Sequence, residues 1–351
     1  MDADQFVEVD GSYGEGGGQI LRTALTISSV SNFPVKVVRI RGNRPNPGLK
    51  SQHIAVIKIL AEICNAEVKN VELGSNWISF KPKGKINSSI KYDIGTAGSI
   101  TLALISVIPV VSLIGPNCDL EIIGGTDVNW SPTIDYFRAV VLPLYRMIGL
   151  DTSIDILRRG YYPKGGGIVK AKIKYSNNIR PLSIVSTRIP PPSAISVCSN
   201  LPRRVAERQV FSAFNYLAMH DVECGESSIE VHESLSPGSS IVLHSVGDQG
   251  PFLGSDSIGE RGKPSDKVGE QAAHLFLKEY LSKAPIDSHA GDIITTPLFF
   301  AEGASKFKVS SLTSHLSTNL EISSFLTGRR FKIENNLDGT STISISEKGV
   351  K

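Results

Sequence analysis

The sequence predicts an α/β (α+β) protein built from repeated units, with a smaller α/β domain inserted between two of them. A glycine-rich turn that opens an apolar-periodic helix occurs twice, as GEGGGQILRTALTIS from Gly14 and as GTAGSITLALISVIP from Gly95. Each copy continues into a β-rich run, a polar loop, a second helix and an apparent hairpin. The length of 351 residues also favours two domains, or one domain built from repeats.

The first two copies correspond element by element after the opening helix. In the first copy the strand, loop, helix and hairpin are PVKVVRIRG, RPNPGLKSQH, HIAVIKILAEIC and AEVKNVELGSNWISFKP. In the second copy they are CDLEIIGG, TDVNWSPTIDY, IDYFRAVVLPLYRMIG and DTSIDILRRGYYPKGGGIVKAKI. The repeat unit is therefore helix, strand, loop, helix and two strands.

A third copy of the unit occurs near the end of the chain. Its first helix, strand, loop and second helix are predicted at DIITTPLFFAEGA, KFKVSSLT, SHLSTN and LEISSFLTG. Its hairpin is predicted at RFKIENNLDGTSTISIS, where the Asn-Asn-Leu-Asp-Gly stretch is typical of a hairpin turn.

Residues 179–284 do not repeat. They contain three prolines from Pro190, which favour a stiff extended chain, and a predicted helix from Arg203 to Met219. Two strands (SSIEVHES and SSIVLHSV), a glycine-rich loop (GDQGPFLGSDSIGERGKP) and a helix from Asp266 to Ser282 follow. We interpret residues 179–284 as a small α/β domain inserted in a surface connection, and residues 1–178 with 285–351 as the repeat-built domain that carries any catalytic site.

Composition and charge exclude several classes of protein. A net charge of +3 does not predict a duplex-binding protein, although a protein that grips only the end of a strand needs just a few arginines. No apolar run approaches the length of a membrane span, and MDADQFVEVD lacks the apolar core of a signal peptide. The four cysteines are far apart, so neither a zinc site nor a disulfide framework is indicated. We therefore expect a cytoplasmic protein.

Each repeat carries polar residues in its equivalent loop. If the three units pack around a pseudo-threefold axis, these loops could converge on one cleft. The candidates are Arg41, Arg44, Gln52 and His53 in the first copy, Thr126, Asp127, Asn129, Trp130 and Asp135 in the second, and His315, Thr318 and Asn319 in the third.

The turn GEGGGQ precedes a helix, so its free N–H groups could hold a phosphate. It is not a Walker loop, because no Gly-Lys-Ser/Thr follows. Glu15 could hold a divalent metal beside a phosphate, and Arg22 lies about two helical turns further along roughly the same face. The alternative is that the glycines serve only tight packing and that the two charges form a local ion pair.

His315 is the best candidate nucleophile among the seven histidines, because it stands in the polar stretch SHLSTN between a strand and a helix. No serine nucleophile elbow, Cys-His pair or metal-binding helix motif competes with it. His53 could cap a helix or contact a substrate. His289 follows Asp287 at a predicted turn, where structural and functional roles are equally consistent with the sequence.

Seven ordered segments are similar to the RNA 3′-terminal phosphate cyclase family. They span Asp10 to Asn319 and read DGSYGEGGGQILRTAL, RPNPGLKSQH, GTAGSITLAL, GGTDVNWSPTIDYF, RRGYYPKGGG, GERGKP and HLSTN. The resemblance implies a fold of repeated βαβαββ-type units with a smaller inserted α/β domain, and an architecture distantly related to that of enolpyruvyl transferases.

The resemblance also implies roles for individual residues. The histidine of the family's H-x-x-T-N string, here His315, is the residue that becomes linked to AMP. The residues implied at the ATP or AMP site are Glu15, Pro132, His289 and Asp292. Pro132 lies in the segment that begins GGTD, and Glu15 would also hold Mg or Mn. Residues implied to hold the RNA terminal phosphate are Arg22, Arg41, Arg44 and Gln52. Two departures from the family pattern, Ile105 and Ile293, replace glutamines and leave nucleotide selection open.

The implied activity is ATP-dependent conversion of an RNA 3′-terminal phosphate to a 2′,3′-cyclic phosphodiester, without a membrane partner. The oligomeric state is left open between a monomer and a homodimer. Two other classes are weighed against this one. A non-catalytic cyclase-like protein of ribosome assembly would lack the histidine, and an enolpyruvyl transferase would not need it.

Overall fold

The computed structural model of the chain describes residues 5–84, 87–347 and 349. Within these residues, helices and strands alternate and the strands form four four-stranded sheets. The predicted α/β class is confirmed. Among the described helices, none combines the length and the apolar character needed to cross a membrane.

The first unit follows the predicted order and adds a strand in front of it. Its elements are β1 (Val7–Asp10), α1 (Gly18–Ser31), β2 (Val35–Val38), α2 (Ser51–Cys64), β3 (Glu67–Lys69) and β4 (Ile78–Lys81).

The second unit has the same order, and its second helix contains a π-helical turn. Its elements are β5 (Ser89–Asp93), α3 (Ile100–Ile114), β6 (Cys118–Gly124), α4 (Ile134–Tyr136), the π-helical turn Phe137–Val141, α5 (Leu142–Met147), β7 (Thr152–Arg158) and β8 (Gly167–Ile173).

The third unit is interrupted after its first strand. Its elements are β9 (Ser183–Ile184) and, after the inserted segment, α8 (Ser288–Leu298), β14 (Ser305–Val309), α9 (Ser314–Thr327), β15 (Phe331–Asn335) and β16 (Ser341–Ile345). The prediction that SHLSTN is a loop was wrong, because these residues form the first turns of α9. The Thr313 hydroxyl caps this helix by accepting a hydrogen bond from the backbone N–H of Leu316 at 2.8 Å.

The three unit sheets share one topology. In each, the first strand is parallel to the second, and the last two strands form an antiparallel hairpin, which gives the orders β1-β2-β4-β3, β5-β6-β8-β7 and β9-β14-β16-β15. This is the βαβαββ arrangement that the resemblance implied. Strand β9 lies within residues 179–284, yet it pairs with β14 of the third sheet.

The inserted segment forms the fourth sheet, with two helices packed on it. Its elements are β10 (Ser193–Ser199), α6 (Arg204–Ala218), β11 (Ser227–His232), β12 (Gly238–Val246), β13 (Phe252–Ile258) and α7 (Ser265–Leu281). The prediction of only two strands was wrong, since β10 and β13 were missed. The β13 sequence FLGSDSI is rich in Gly, Ser and Asp, which disfavour strands, and it forms a strand through antiparallel pairing with residues 240–246 of β12. This segment has its own apolar core, which includes Leu243 and Phe276.

Helix α1 is central to the larger core and packs against α2, α3 and α9. Most of its residues are buried around its whole circumference, as expected of a helix inside a domain rather than on its surface. Because α1 and α9 pack together, the glycine-rich turn before α1 lies beside the first turn of α9. This contact positions the site described next.

Candidate active site

A cleft of about 780 Å³ lies where the three units meet. It is lined by residues of all three repeat loops, such as Gln52, Trp130 and His315, together with residues of α1 and α8. All the candidate site residues that the resemblance implied border this one cleft, namely Glu15, Arg22, Arg41, Arg44, Gln52, Pro132, His289, Asp292 and His315. Sequence reasoning could only suggest such a convergence, since the loops are far apart along the chain.

His315 lies in the first turn of α9 with its side chain half exposed. Its imidazole Nε2 is 3.1 Å from a carboxylate oxygen of Glu15. Its backbone carbonyl accepts a hydrogen bond from the side-chain amide of Gln19 at 3.1 Å. The glycine-rich turn therefore contacts the ring, and the start of α1 holds the backbone of the same residue.

The environment of His315 favours its neutral form. Burial lowers the pKa of His315 below its ordinary value, and the positive charges of Arg22, His289 and Arg44 act in the same direction. Asp292 opposes them without reversing the shift in pKa. A neutral imidazole keeps a free lone pair at neutral pH, which a nucleophile requires.

Three side chains tie the helices behind His315 together. The side-chain amide of Asn319 donates to the backbone carbonyl of Asp292 at 3.0 Å, and its side-chain oxygen accepts from the Thr23 hydroxyl at 2.9 Å. The Thr313 hydroxyl donates to the Asp292 carboxylate. These bonds connect α1, α8 and α9, so Asp292 has a structural contact as well as a position in the cleft wall.

The glycine-rich turn adopts a backbone that few other residues could follow. Gly16 has a φ of 61°, in the left-handed region, and no side chain caps the start of α1. A Cβ atom on Gly18 would lie 2.2 Å from Nε2 of His53, so a side chain at this position would clash with that ring. The uncapped backbone N–H groups at the helix start are available to an anion.

Arg22, Arg41 and Arg44 form a cationic wall with few counter-charges. Arg44 pairs with Glu15, whereas Arg41 donates only to backbone carbonyls, including that of Gly48 at 3.1 Å. Within the described residues, the side chains of Arg22 and Gln52 form neither a hydrogen bond nor an ion pair. Burial lowers the pKa of Arg22 to about 10, so its guanidinium stays charged at neutral pH. Unpaired, half-buried arginines favour an anionic ligand such as a phosphate.

His53 has one of the two roles that the sequence left open, since it caps helix α2, and its ring also lines the cleft. It is buried in the cleft wall, and its Nδ1 accepts a hydrogen bond from the backbone N–H of Lys50 at 3.0 Å, at the start of α2. Burial and nearby cations lower the pKa of His53 to about 3, so it is neutral. The ring therefore presents its Nε2–H toward Gly18 and the cleft.

Another part of the cleft lining combines apolar and charged groups. Pro132 is fixed by the Thr101 hydroxyl, which donates to its carbonyl at 2.8 Å. His289 lies in the first turn of α8, and Asp292 raises its pKa above the ordinary value. Ile105 and Ile293, the two departures from the family pattern, both line the cleft and make this part of the lining more apolar.

Sequence reasoning did not single out two polar residues of the cleft lining, Gln19 and Asp256. Gln19 is buried, and its side-chain oxygen has no partner within the described residues. Its place in GEGGGQ was the available signal. Asp256 is partly buried in the cleft wall, where its carboxylate accepts a hydrogen bond from the backbone N–H of Thr133 at 2.7 Å. It lies in β13, which the sequence did not indicate as a strand.

The acidic residues of the second loop do not face the cleft. Asp127 and Asp135 are fully buried and pair with Arg159, whose side chain is 1% exposed. Arg159 also lies 3.1 Å from Glu230 of the inserted segment, and the Ser240 hydroxyl donates to Asp127 at 3.0 Å. This ion network joins the second unit to the inserted segment and supports the loop that carries Pro132.

The cleft offers no ready-made cage for a divalent metal. Within the described residues, no group of three or more His, Cys, Asp or Glu side chains could hold a metal ion. Glu15, the ligand that the resemblance implied, lies in the cleft, and its carboxylate already contacts Arg44 and His315. Such a site fits Mg²⁺, which is commonly held by one or two carboxylates together with substrate phosphates and water.

A family profile and individual relatives of this chain carry the same description. The profile of a family described as RNA 3′-terminal phosphate cyclase matches residues 13–333. A protein of that name from Pyrococcus furiosus is 40% identical, over 98% of this chain and 99% of its own length. Another, from Thermococcus onnurineus, is 42% identical over 94% of this chain and 96% of its own length. A solved structure of the enolpyruvyl transferase NikO from Streptomyces tendae aligns with 98% of this chain and 82% of its own length, at 10% identity. Its TM-score of 0.27 is too low to indicate a shared fold.

Proposed function

The chain belongs to the RNA 3′-terminal phosphate cyclase family, and on that basis we propose that it converts RNA 3′-phosphate ends to 2′,3′-cyclic phosphodiesters at the expense of ATP. The observation that carries the proposal is the position of His315, a histidine favoured in its neutral form, beside Glu15 and a wall of arginines without sufficient counter-charge. AMP and pyrophosphate are the expected by-products.

The chemistry requires activation of the RNA end. A terminal 3′-phosphate is a dianion without a leaving group, so the adjacent 2′-hydroxyl cannot displace an oxygen from it. In the first step one nitrogen of the His315 imidazole attacks the α-phosphorus of ATP. A P–N bond forms, the P–O bond to pyrophosphate breaks, and a covalent histidine–AMP intermediate results.

The second step transfers AMP to the RNA. A 3′-phosphate oxygen attacks the phosphorus of the histidine adduct, the P–N bond breaks, and an RNA(3′)pp(5′)A end forms. The 2′-hydroxyl then attacks the activated 3′-phosphorus, its proton is lost, and AMP leaves. Nucleophile and electrophile share one ribose, so the effective molarity is on the order of 10⁵ M or more.

The arginines provide the charge stabilisation for these steps. Arg22, Arg41 and Arg44, with Gln52, are the side chains expected to hold the terminal phosphate. Arg22 and Arg41 lack a carboxylate partner, so an incoming phosphate does not have to displace an existing ion pair at either guanidinium. Arg44 would exchange its contact with Glu15 for the ligand.

The part of the cleft lining that contains Pro132, His289 and Asp292 is expected to hold the nucleotide. Pro132, His289 and Asp292 would line the AMP pocket, next to the apolar side chains of Ile105 and Ile293. Glu15 would hold Mg or Mn, which would neutralise charge on the ATP phosphates. We expect the protein to work in the cytoplasm.

Covalent labelling tests the proposal directly. Incubation with α-labelled ATP and magnesium should label the protein, and His315→Asn should abolish the labelling. His220→Asn is the matched control, because His220 is an exposed histidine of the inserted segment, hydrogen-bonded to the carbonyl of Tyr216 and outside the cleft. Labelling that persists in His315→Asn would place the nucleophile elsewhere.

The same assay separates the rival classes. A non-catalytic ribosome-assembly protein or an enolpyruvyl transferase would form no histidine–AMP adduct. A strand with a terminal 2′-deoxy, 3′-phosphate nucleotide should accept AMP from the enzyme and then stall, because the cyclising hydroxyl is missing. Cyclic product from that strand would contradict the order of steps.

A further inference from the structure

Trp130 stands at the edge of the cleft with its ring in solvent. It borders the same cleft as His315 and the arginines, yet 98% of its surface is exposed. A fully exposed tryptophan is unusual because indole loses favourable burial free energy when it is left in water. The ring therefore marks the rim of the cleft rather than its floor.

The backbone around Trp130 is firmly held although the ring is free. Trp130 has a φ of 66°, a left-handed conformation that bulky residues seldom adopt. On one side the Asn129 side chain donates to Glu260 at 3.0 Å, and on the other the Ser131 hydroxyl donates to the carbonyl of Val128 at 2.9 Å. These contacts fix the loop to itself and to the inserted segment, so the Cα atom that carries the exposed ring has a defined position at the rim of the cleft.

We propose that Trp130 is a stacking platform for a base of the RNA strand whose 3′-phosphate enters the cleft. This inference rests on the proposed function. Every base has a π-face that an aromatic side chain can cover without reading the sequence, which suits an enzyme that acts on RNA ends in general. The arginines would hold the terminal phosphate, and Trp130 would hold the strand where it leaves the cleft.

A base of the RNA strand fits this position better than the adenine of ATP. The cleft wall offers partly buried side chains such as Pro132 and Ile293 for a small nucleotide. The Trp130 ring borders the same cleft but is almost wholly in solvent at its rim. A strand whose 3′ end lies in the cleft must leave the cleft across this rim, whereas ATP is expected to lie among the partly buried side chains.

Tryptophan fluorescence tests this directly, because the chain contains only two tryptophans. In a Trp77→Phe variant, Trp130 is the sole tryptophan. A 3′-phosphorylated RNA oligonucleotide added without ATP should quench its emission. The same oligonucleotide with abasic residues at its last three positions should quench it much less. In the matched Trp130→Phe variant, where only Trp77 emits, the RNA should leave the emission nearly unchanged.

Kinetics provide the second measurement. Trp130→Ala should raise the KM for RNA by about 5- to 150-fold, the range expected for loss of one base stack, and Trp130→Phe should recover most of this loss. The fold-increase in the KM for RNA should exceed any fold-decrease in the rate at which ATP labels the protein. Absence of RNA-dependent quenching, or an equal loss in both reactions, would overturn the inference. Failure of the proposed function is distinguishable, since it would appear as absence of ATP labelling in the unmodified chain.

Discussion

Replacement of Arg159 by methionine should destabilise the protein strongly, because it leaves the buried carboxylate of Asp127 without a counter-charge. Asp135 would keep only its ion pair with Arg138, at 2.9 Å. Asp127 and Asp135 have no exposed side-chain surface, and Arg159 is their shared cation at the junction with the inserted segment. Removing one partner of a buried ion pair costs about 3–5 kcal/mol. At an unfolding entropy of about 2.1 cal/mol/K per residue, this cost corresponds in a chain of 351 residues to a decrease in Tm of about 4–7 °C.

The loss should depend on pH in a defined direction. Burial raises the pKa of Asp127 to about 6 even with Arg159 present, and removal of Arg159 should raise it further. Between the unfolded pKa of about 4 and the folded one, the folded state holds a proton that the unfolded state lacks, so stability falls as pH rises. The deficit of Arg159→Met should therefore be smaller at pH 5, where the carboxyl is protonated, than at pH 8.

Thermal unfolding of the variant at pH 5 and pH 8 measures both effects. Arg208→Met is the matched control, since Arg208 pairs with Asp266 on an exposed surface where such pairs contribute about 0–1 kcal/mol. If Arg159→Met lost no more stability than Arg208→Met, the buried network would not stabilise the junction. A deficit equal at both pH values would refute the assignment of the cost to the unpaired carboxylate of Asp127.

Three further predictions concern the cleft. Because the pKa of His315 is lowered, the rate of adduct formation with ATP should decline only below the ordinary imidazole pKa of about 6.5, and a midpoint above that value in a single-turnover pH profile would contradict this. Gly18→Ala should cost about 1–3 kcal/mol in thermal unfolding through its clash with His53, and a cost that stayed the same in a His53→Ala background would exclude that cause. Arg44→Ala should reduce the use of RNA ends more than formation of the histidine–AMP adduct, and equal losses in the two assays would reassign Arg44 to the nucleotide.

Local patterns predicted most of the elements, because they depend on residues close together in the chain. The hairpin β15–β16 was found from its turn residues, and the helices α1 and α3 from their glycine turns and apolar periodicity. Prediction failed where tertiary contacts override local preference. The stretch at His315 reads as a polar loop because five of its six residues are polar, yet the Thr313 cap and packing against α1 make it helical.

The sequence by itself determined the repeat unit, the family resemblance and the residues with suitable chemistry, because composition and spacing are properties of the chain alone. Only the tertiary structure decided that Glu15, Arg44 and His315 meet, since the packing of α1 against α9 brings together residues about three hundred positions apart. It also decided which charged residues serve the cleft. Asp127 and Asp135 are as polar as Glu15 in the sequence, but burial against Arg159 makes them part of the junction with the inserted segment.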